Sequence, residues 1–131
     1  LAPNLWSWIG SRLWEVAVPV PAVHPAAVRL QGMREALGVS DVSLWEIALL
    51  AERGRVRLAL PLDAWLSRAT AAPLVERCGM SPAIAREMVS LSTTFDWDPA
   101  DRILVATARV LGVPLVTSDS RIVDAALVAT V

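Results

Sequence analysis

Several residue types are scarce or missing in this chain of 131 residues, and each absence narrows the possible chemistry. The single cysteine, Cys78, excludes an intrachain disulfide and a cysteine-based zinc cluster. The single histidine, His24, lies among prolines and leaves little scope for a histidine metal site or for Ser-His-Asp catalysis. Lysine is absent, so all 12 basic residues are arginines, which are the better bidentate ligands for phosphate.

Charge and hydropathy place the chain in a broad class. The net charge of −1 gives no overall electrostatic argument for binding nucleic acid. Hydrophobic residues make up 55% of the chain and the mean hydropathy is +0.51, yet no apolar run reaches the ~18–20 residues of a membrane span. No signal peptide is recognisable at the start, so we expect a cytoplasmic protein with no membrane partner. The length fits one domain over 1–131, with an irregular part over 1–38.

Residues 98–112 have the pattern of an amphipathic helix. Asp98 is a good N-cap, and Pro99 falls at the first helical position, where its missing N–H costs nothing. Asp101 follows in the first turn, where a carboxylate suits the positive end of the helix dipole. Gly112 is a typical helix stop. The spacing predicts a buried stripe made of Ile103, Ala106, Thr107, Val110 and Leu111.

A short apolar run over 113–117 follows this helix and predicts a buried strand of a parallel sheet. The loop over 118–120 then leaves the carboxyl end of that strand. In open α/β sheets ligands bind at the edge formed by these ends. We therefore expect Asp101 and Asp119 to lie near one edge of a sheet.

The segment over 39–54 predicts a strand that leads into a second helix. We expect this helix to begin near Ser43, which would place Glu46 at the capping-box position, and to end at Gly54. Its predicted apolar face consists of Leu44, Ile47, Ala48 and Ala51.

Strands and helices alternate along the rest of the chain. This order implies βαβ units with right-handed crossovers and a mainly parallel sheet, so the predicted fold class is α/β. The remaining predicted elements are a helix over 26–37 stopped by Gly38, an extended segment over 55–58, a helix over 63–71, a strand over 73–80, a helix from Pro82 with Ile84, Met88 and Leu91 on its core face, a helical turn over 120–126 and a strand over 127–131.

Four blocks of this sequence resemble a known family. The run over 98–108 and the run over 114–119 closely resemble PIN-domain ribonucleases, specifically the VapC-type toxins of type II toxin–antitoxin systems. Residues 39–58 and 61–66 resemble the same subgroup, whereas the first 38 residues resemble it poorly. The resemblance implies a PIN-like three-layer α/β/α fold and an endoribonuclease that cleaves RNA phosphodiesters with Mg²⁺ or Mn²⁺. It also implies a homodimer that is neutralised by a VapB-like antitoxin.

Three acids fall on acidic positions of the family, so the resemblance implies that Glu46, Asp101 and Asp119 are catalytic and hold the metal ion. Hard divalent ions prefer oxygen ligands, and clustered carboxylates raise one another's pKa unless a cation joins them. Each acid also has a local alternative: Glu46 as a capping-box residue, Asp101 as a first-turn dipole residue and Asp119 as a turn residue. The fourth family acid falls on Ala2, which is a departure from the pattern.

Further polar residues flank the predicted site, and each has an alternative structural role. Asp98 would either assist the metal site through a water molecule or serve only as an N-cap. Thr117 and Ser118 would orient a carboxylate or only form the turn, and Asn4 would reach the site or only cap a turn. Arg102 and Arg121 would bind RNA phosphates or remain solvated surface arginines.

The departure at Ala2 leaves two functions open. The first is the metal-dependent ribonuclease. The second is a catalytically weak or inactive PIN-like module that still dimerises and binds an antitoxin. A phospho-acceptor receiver-like domain is set aside. Such a domain would need an acidic pair after the first strand and a lysine late in the chain, and this sequence has neither.

Overall fold

The computed structural model describes residues 4–6, 37–58, 60–71, 75–91, 98–117 and 119–130. Within these segments helices lie between the parallel strands of one sheet, which confirms the predicted α/β class. The elements in chain order are β1 (Asn4–Trp6), β2 (Leu37–Ser40), α1 (Asp41–Glu52), α2 (Leu62–Ala69), β3 (Val75–Cys78), α3 (Pro82–Leu91), α4 (Pro99–Leu111), β4 (Leu115–Val116) and α5 (Ser120–Ala125).

The four described strands form one parallel sheet in the order β3-β2-β1-β4. β1 lies inside the sheet: Trp6 is paired with Val39 of β2 on one side and with Val116 of β4 on the other. Val39 and Val116 are buried, as expected for parallel strands covered by helices. The predicted strand over 127–131 is present only as a bridge between Leu115 and Thr130 in the described residues.

Several predicted elements are confirmed with shifted ends. The predicted helix over 63–71 is α2, the strand over 73–80 is β3, and the helix with Ile84 and Leu91 on its buried face is α3. The helix over 26–37 lies outside the described residues up to residue 36, and Gly38 belongs to β2 and is not a helix stop. The predicted extended segment over 55–58 does not form a strand: residues 55 and 56 form a bend, and residues 57 and 58 belong to neither a helix nor a strand.

The start of α1 corrects the predicted capping box. β2 continues to Ser40, whose side chain accepts a hydrogen bond from the backbone N–H of Val42 at 3.3 Å and so caps the helix. Ser43 is therefore a buried residue inside α1, and Glu46 lies in the second turn, where it cannot complete a capping box. The local alternative for Glu46 is thereby removed.

The buried face of α4 also differs from the predicted stripe. Val110 was expected in the core, but it is 39% exposed, whereas Val105 is fully buried. The reason is that α4 packs against α1, α3, β1 and β4, so that its covered surface is wider than one stripe. Its buried residues are Ala100, Leu104, Val105, Ala106, Thr107 and Ala108.

The hydrophobic core is centred on this helix. Leu104 and Val105 pack with Ile84 and Leu91 of α3, with Leu115 of β4 and with Ile122 of α5. The core therefore fixes the start of α4 and the exit of β4 relative to each other. No helix in the described parts of the chain combines the length and apolarity that crossing a membrane requires.

Candidate active site

The start of α4 supplies two carboxylates to one edge of the sheet. Asp98 is the N-cap of this helix and accepts a hydrogen bond from the backbone N–H of Ala100 at 3.1 Å. Pro99 occupies the first turn, where a missing N–H is tolerated. Asp101 follows in the same turn and is half-buried. The predicted N-cap role of Asp98 is confirmed.

The exit of β4 supplies the next carboxylate. Asp119 is the N-cap of α5, and its Oδ1 accepts a hydrogen bond from the backbone N–H of Arg121 at 2.9 Å. The backbone N–H of Asp119 donates to Oγ1 of the buried Thr117 at 3.1 Å. This hydrogen bond is the turn role predicted for Thr117, whereas an orienting role toward a ligating carboxylate stays a prediction.

One guanidinium joins Asp101 and Asp119. Nη2 of Arg121 lies 2.7 Å from Oδ2 of Asp119 and 3.2 Å from Oδ2 of Asp101. Nε of Arg121 donates to Oδ1 of Asp119 at 3.1 Å. A single nitrogen therefore contacts oxygens of both acids, which shows that the two carboxylates converge on one cationic group. The predicted contact of Arg121 with RNA remains a prediction, since its partners here are protein carboxylates.

The pKa values of the two aspartates shift in opposite directions. Burial raises the pKa of Asp101, and the negative charges of Asp119 and Asp98 raise it further, whereas Arg121 opposes the shift. The hydrogen bond from the Arg121 side chain holds the pKa of Asp119 below its ordinary value. The difference arises because Arg121 makes most of its contacts with Asp119. Of these two aspartates, Asp101 is therefore the one whose charged form is disfavoured in the folded protein.

Glu46 adds a third acid from α1. It is half-buried, and its pKa is raised from 4.5 to about 7, first by burial and then by the charges of Asp101 and Asp98. Yet within the described segments no three acidic, histidine or cysteine side chains lie close enough to hold one metal ion. The charges of Asp101 and Asp98 therefore raise the pKa of Glu46, but Glu46 does not form one compact cluster of ligands with the aspartates.

The Asp101–Asp119 pair nevertheless fits a divalent cation. Mg²⁺ is usually held by one or two carboxylates together with waters and substrate phosphates, and it does not require a cage made only of protein. The two oxygens that contact Nη2 of Arg121 already bind one positively charged group. The set of oxygen donors matches hard cations such as Mg²⁺ and Mn²⁺.

Replacement of Glu46 by glutamine should remove a pH-dependent loss of stability. The folded chain keeps the Glu46 proton up to a pKa of about 7, whereas the unfolded chain releases it near 4.5. The contribution of Glu46 to the free energy of unfolding is therefore fully present below pH 4.5. It falls as the pH rises from 4.5 to about 7, and it is lost above pH 7. We expect Glu46→Gln to be more stable than the parent at pH 8 by roughly 1–2 kcal/mol, after discounting for solvent screening, and equal to it below pH 4.5.

The measurement is urea unfolding with a chelator present at several pH values. Glu52→Gln, at an exposed position at the end of the same helix, is the matched control and should leave the difference near zero at every pH. A stability difference for Glu46→Gln that does not change with pH would contradict the raised pKa.

The remaining predicted residues are only partly placed. Arg102 is half-buried in the first turn of α4, and its backbone N–H donates to the carbonyl of Asp98 at 3.1 Å. Asn4 begins β1, but its side chain lies outside what the structure describes, and Ser118 lies outside the described residues. Ala2 also lies outside them and precedes β1, whereas Asp119 follows the carboxyl end of its strand. The assignment of the missing family acid to Ala2 therefore stays a prediction.

Sequence reasoning missed the link that Arg121 makes between the acids. The available signal was the Asp-x-Arg spacing at the start of a short helix, which brings the arginine back toward the N-cap carboxylate. It also missed the ion pair between Asp41 at the start of α1 and Arg77 of the edge strand β3, with Nε to Oδ1 at 2.8 Å. That pair is exposed, so it stabilises the sheet edge only modestly.

The sequence matches a known protein family over most of its length. Residues 21–127 match the PIN domain family, which is most of the chain. The chain therefore belongs to the PIN domain family. Over 86 residues it is 42% identical to the ribonuclease VapC22 of Mycobacterium tuberculosis, a match that covers 66% of this chain and 65% of that protein. Within the PIN family, the chain is thus similar in sequence to a protein named as a VapC ribonuclease.

Solved structures confirm the fold. VapBC2 from Rickettsia felis, bound to a DNA fragment from their promoter, matches with a TM-score of 0.66 at 12% identity, over 98% of this chain and 96% of that chain. FitAB bound to an IR36 DNA fragment matches with a TM-score of 0.63 at 15% identity, over 98% of this chain and 93% of that chain. At these identities the matches establish a PIN-like α/β fold.

Proposed function

We propose that this chain is a VapC-like endoribonuclease that cleaves RNA phosphodiesters with a divalent ion, Mg²⁺ or Mn²⁺. The observation that carries the proposal is the convergence of Asp101 and Asp119 on a single cationic nitrogen. Membership of the PIN family and similarity to a protein named as a ribonuclease support it. The similar segment spans 65% of that relative, so its activity comes to this chain only as part of this proposal.

Each acid has a distinct role in the proposed reaction. Asp101 and Asp119 hold the ion, which would activate a water and neutralise the charge that develops at the phosphodiester. Glu46, with a pKa of about 7, is suited to take up or release a proton near neutral pH. Asp98 and Thr117 position the start of α4 and the loop of Asp119 through their hydrogen bonds. Arg102 and Arg121 lie beside these acids in the chain and are the proposed RNA phosphate ligands.

The proposed partners follow from the same similarity. One matching structure is a VapBC complex, and we propose that a VapB-like antitoxin binds this chain, which would act as a homodimer in the cytoplasm. Trp45, 59% exposed on α1 directly before Glu46, offers an apolar contact near the site. An exposed aromatic residue of this kind suits a protein partner better than solvent.

The alternative is an inactive module with the same partners. Two points support it: the resemblance places a family acid at the position of Ala2, and no three acids come together to hold one metal ion in the described residues. A binding module would keep the fold and the partner surface without cleaving RNA.

The deciding experiment is RNA cleavage by the chain as given, with Mg²⁺, with Mn²⁺ and with a chelator. We expect cleavage that the chelator abolishes. Two variants accompany it. Ala2→Asp restores an acid at the position that the resemblance assigns to the missing family acid. Ser7→Asp places an acid directly after Trp6, the last residue of β1, just as Asp119 follows the carboxyl end of β4. Cleavage only after one of these substitutions would identify a scaffold that has lost one acid and would favour the binding module. No cleavage by any of the three, with folded protein, would overturn the ribonuclease proposal.

A further inference from the structure

The side chain of Arg121 lies on the solvent side of the carboxylates of Asp101 and Asp119. Its side chain is 63% exposed, whereas the side chains of Asp101 and Asp119 are 19% and 28% exposed. Its guanidinium uses Nε and Nη2 to bind Asp119 and uses Nη2 again to bind Asp101. In the described part of the chain, these two acids are its hydrogen-bond partners. The cation thus lies outside, and the acids lie between it and the protein.

The same oxygens are the ones that a divalent ion would use. Oδ2 of each aspartate points to the position occupied by Nη2, so a metal ion held by both oxygens and the guanidinium would need the same place. An exposed ion pair contributes little to stability, because solvent screens it and the long side chain loses entropy. A contact of this kind can therefore be displaced by a divalent ion that takes both oxygens.

We propose that Arg121 is a positioning residue that competes with the divalent ion for Asp101 and Asp119, and that the ion binds by displacing its guanidinium. This inference rests on the proposed function, because it requires the two aspartates to be metal ligands. It assigns Arg121 a role before RNA is present. The arginine keeps the carboxylates together and offsets part of their negative charge, and it sets the concentration of metal ion at which the site fills.

The first test measures metal affinity without RNA. Mn²⁺ binding to the full chain is followed by calorimetry or by the electron paramagnetic resonance signal of free Mn²⁺. We expect Arg121→Ala to bind Mn²⁺ about threefold to tenfold more tightly than the parent, because the competing cation is gone. Arg86→Ala, which removes the same charge at an exposed position of α3, is the matched control and should bind as the parent does.

The second test observes the arginine directly. The Nε–H resonance of Arg121 is followed by NMR during titration with Mg²⁺, and we expect it to shift in step with metal binding as its bond to Asp119 is lost. Arg109 provides an internal control, because its Nε donates to Glu87 and should not respond. An Arg121 resonance that stays unchanged at saturating Mg²⁺ would show that the ion and the guanidinium do not compete.

The outcomes separate this inference from the proposed function. If the parent binds Mn²⁺ and Asp101→Asn does not, the metal site stands. Equal or weaker binding by Arg121→Ala would then overturn only the role of Arg121. If no variant binds Mn²⁺, or if Asp101→Asn binds it as the parent does, both the metal site and the competition are rejected.

Discussion

Replacement of Asp101 by asparagine is expected to lower metal-dependent RNA cleavage by about 100- to 1,000-fold, the usual cost of losing one group that stabilises developing charge. Asparagine keeps the size of the side chain and one oxygen, but it removes the negative charge that faces Arg121. The fold should survive. Asp101 is half-buried beside two other carboxylates, so removing its charge relieves repulsion from Asp119 and Asp98 while it weakens one ion pair.

The measurement is single-turnover cleavage of RNA at saturating Mn²⁺, with thermal unfolding recorded for each protein. Asp63→Asn, the same substitution at an exposed position of α2, is the control and should cleave as the parent does. A variant at Asp101 that unfolds at the parent's temperature and cleaves within about threefold of its rate would rule out Asp101 as a metal ligand.

The features predicted well from the sequence are those set by local chemistry. Asp98 followed by Pro99 defines a helix start by itself, because the cap and the ring act within one turn. Gly112 ends the same helix at φ 65°, in the left-handed region that glycine enters without strain. The alternation of apolar runs and helical patterns was likewise enough to predict a parallel sheet.

The start of α1 shows where local signals stop being sufficient. Ser40 and Ser43 can both cap a helix, and the choice depends on where β2 ends. That end is set by pairing with β1 and β3, with Ser40 opposite Cys78 of β3. Since pairing partners are distant in sequence, the spacing of Ser43 and Glu46 favoured the wrong cap. Glu46 is consequently a residue of the second turn that faces the charge of Asp101.

The candidate site was predictable only in part for a related reason. The identities of Glu46, Asp101 and Asp119 came from the family resemblance, and their separation in the chain says nothing about distances. The structure brings Asp101 and Asp119 to one nitrogen of Arg121, whereas Glu46 is coupled to Asp101 only through its charge. The depth of burial and the reach of a long side chain decide this difference, and neither can be read from a residue pattern.

The buried face of α4 depends in the same way on tertiary packing. A stripe spaced at three and four residues assumes that one side of a helix is covered. Here α1, α3, β1 and β4 cover α4 from several directions, so Val105 is buried although it lies off the predicted stripe. Val110 lies on that stripe but near the end of the helix, where it remains 39% exposed.

This pair of valines gives a matched test of the core around the site. Val105→Ala should destabilise the protein by about 2–3 kcal/mol, because it removes buried methyl groups and leaves a cavity among Leu104, Leu115 and their neighbours. Val110→Ala, the same change on the same helix, should stay within ~0.5 kcal/mol of the parent, since alanine is the better helix former at an exposed position. Urea unfolding of both variants measures the difference. The reverse order, with Val110→Ala the more damaging, would show that the predicted stripe faces the core and that the start of α4, with Asp98 and Asp101, is rotated from the arrangement described here.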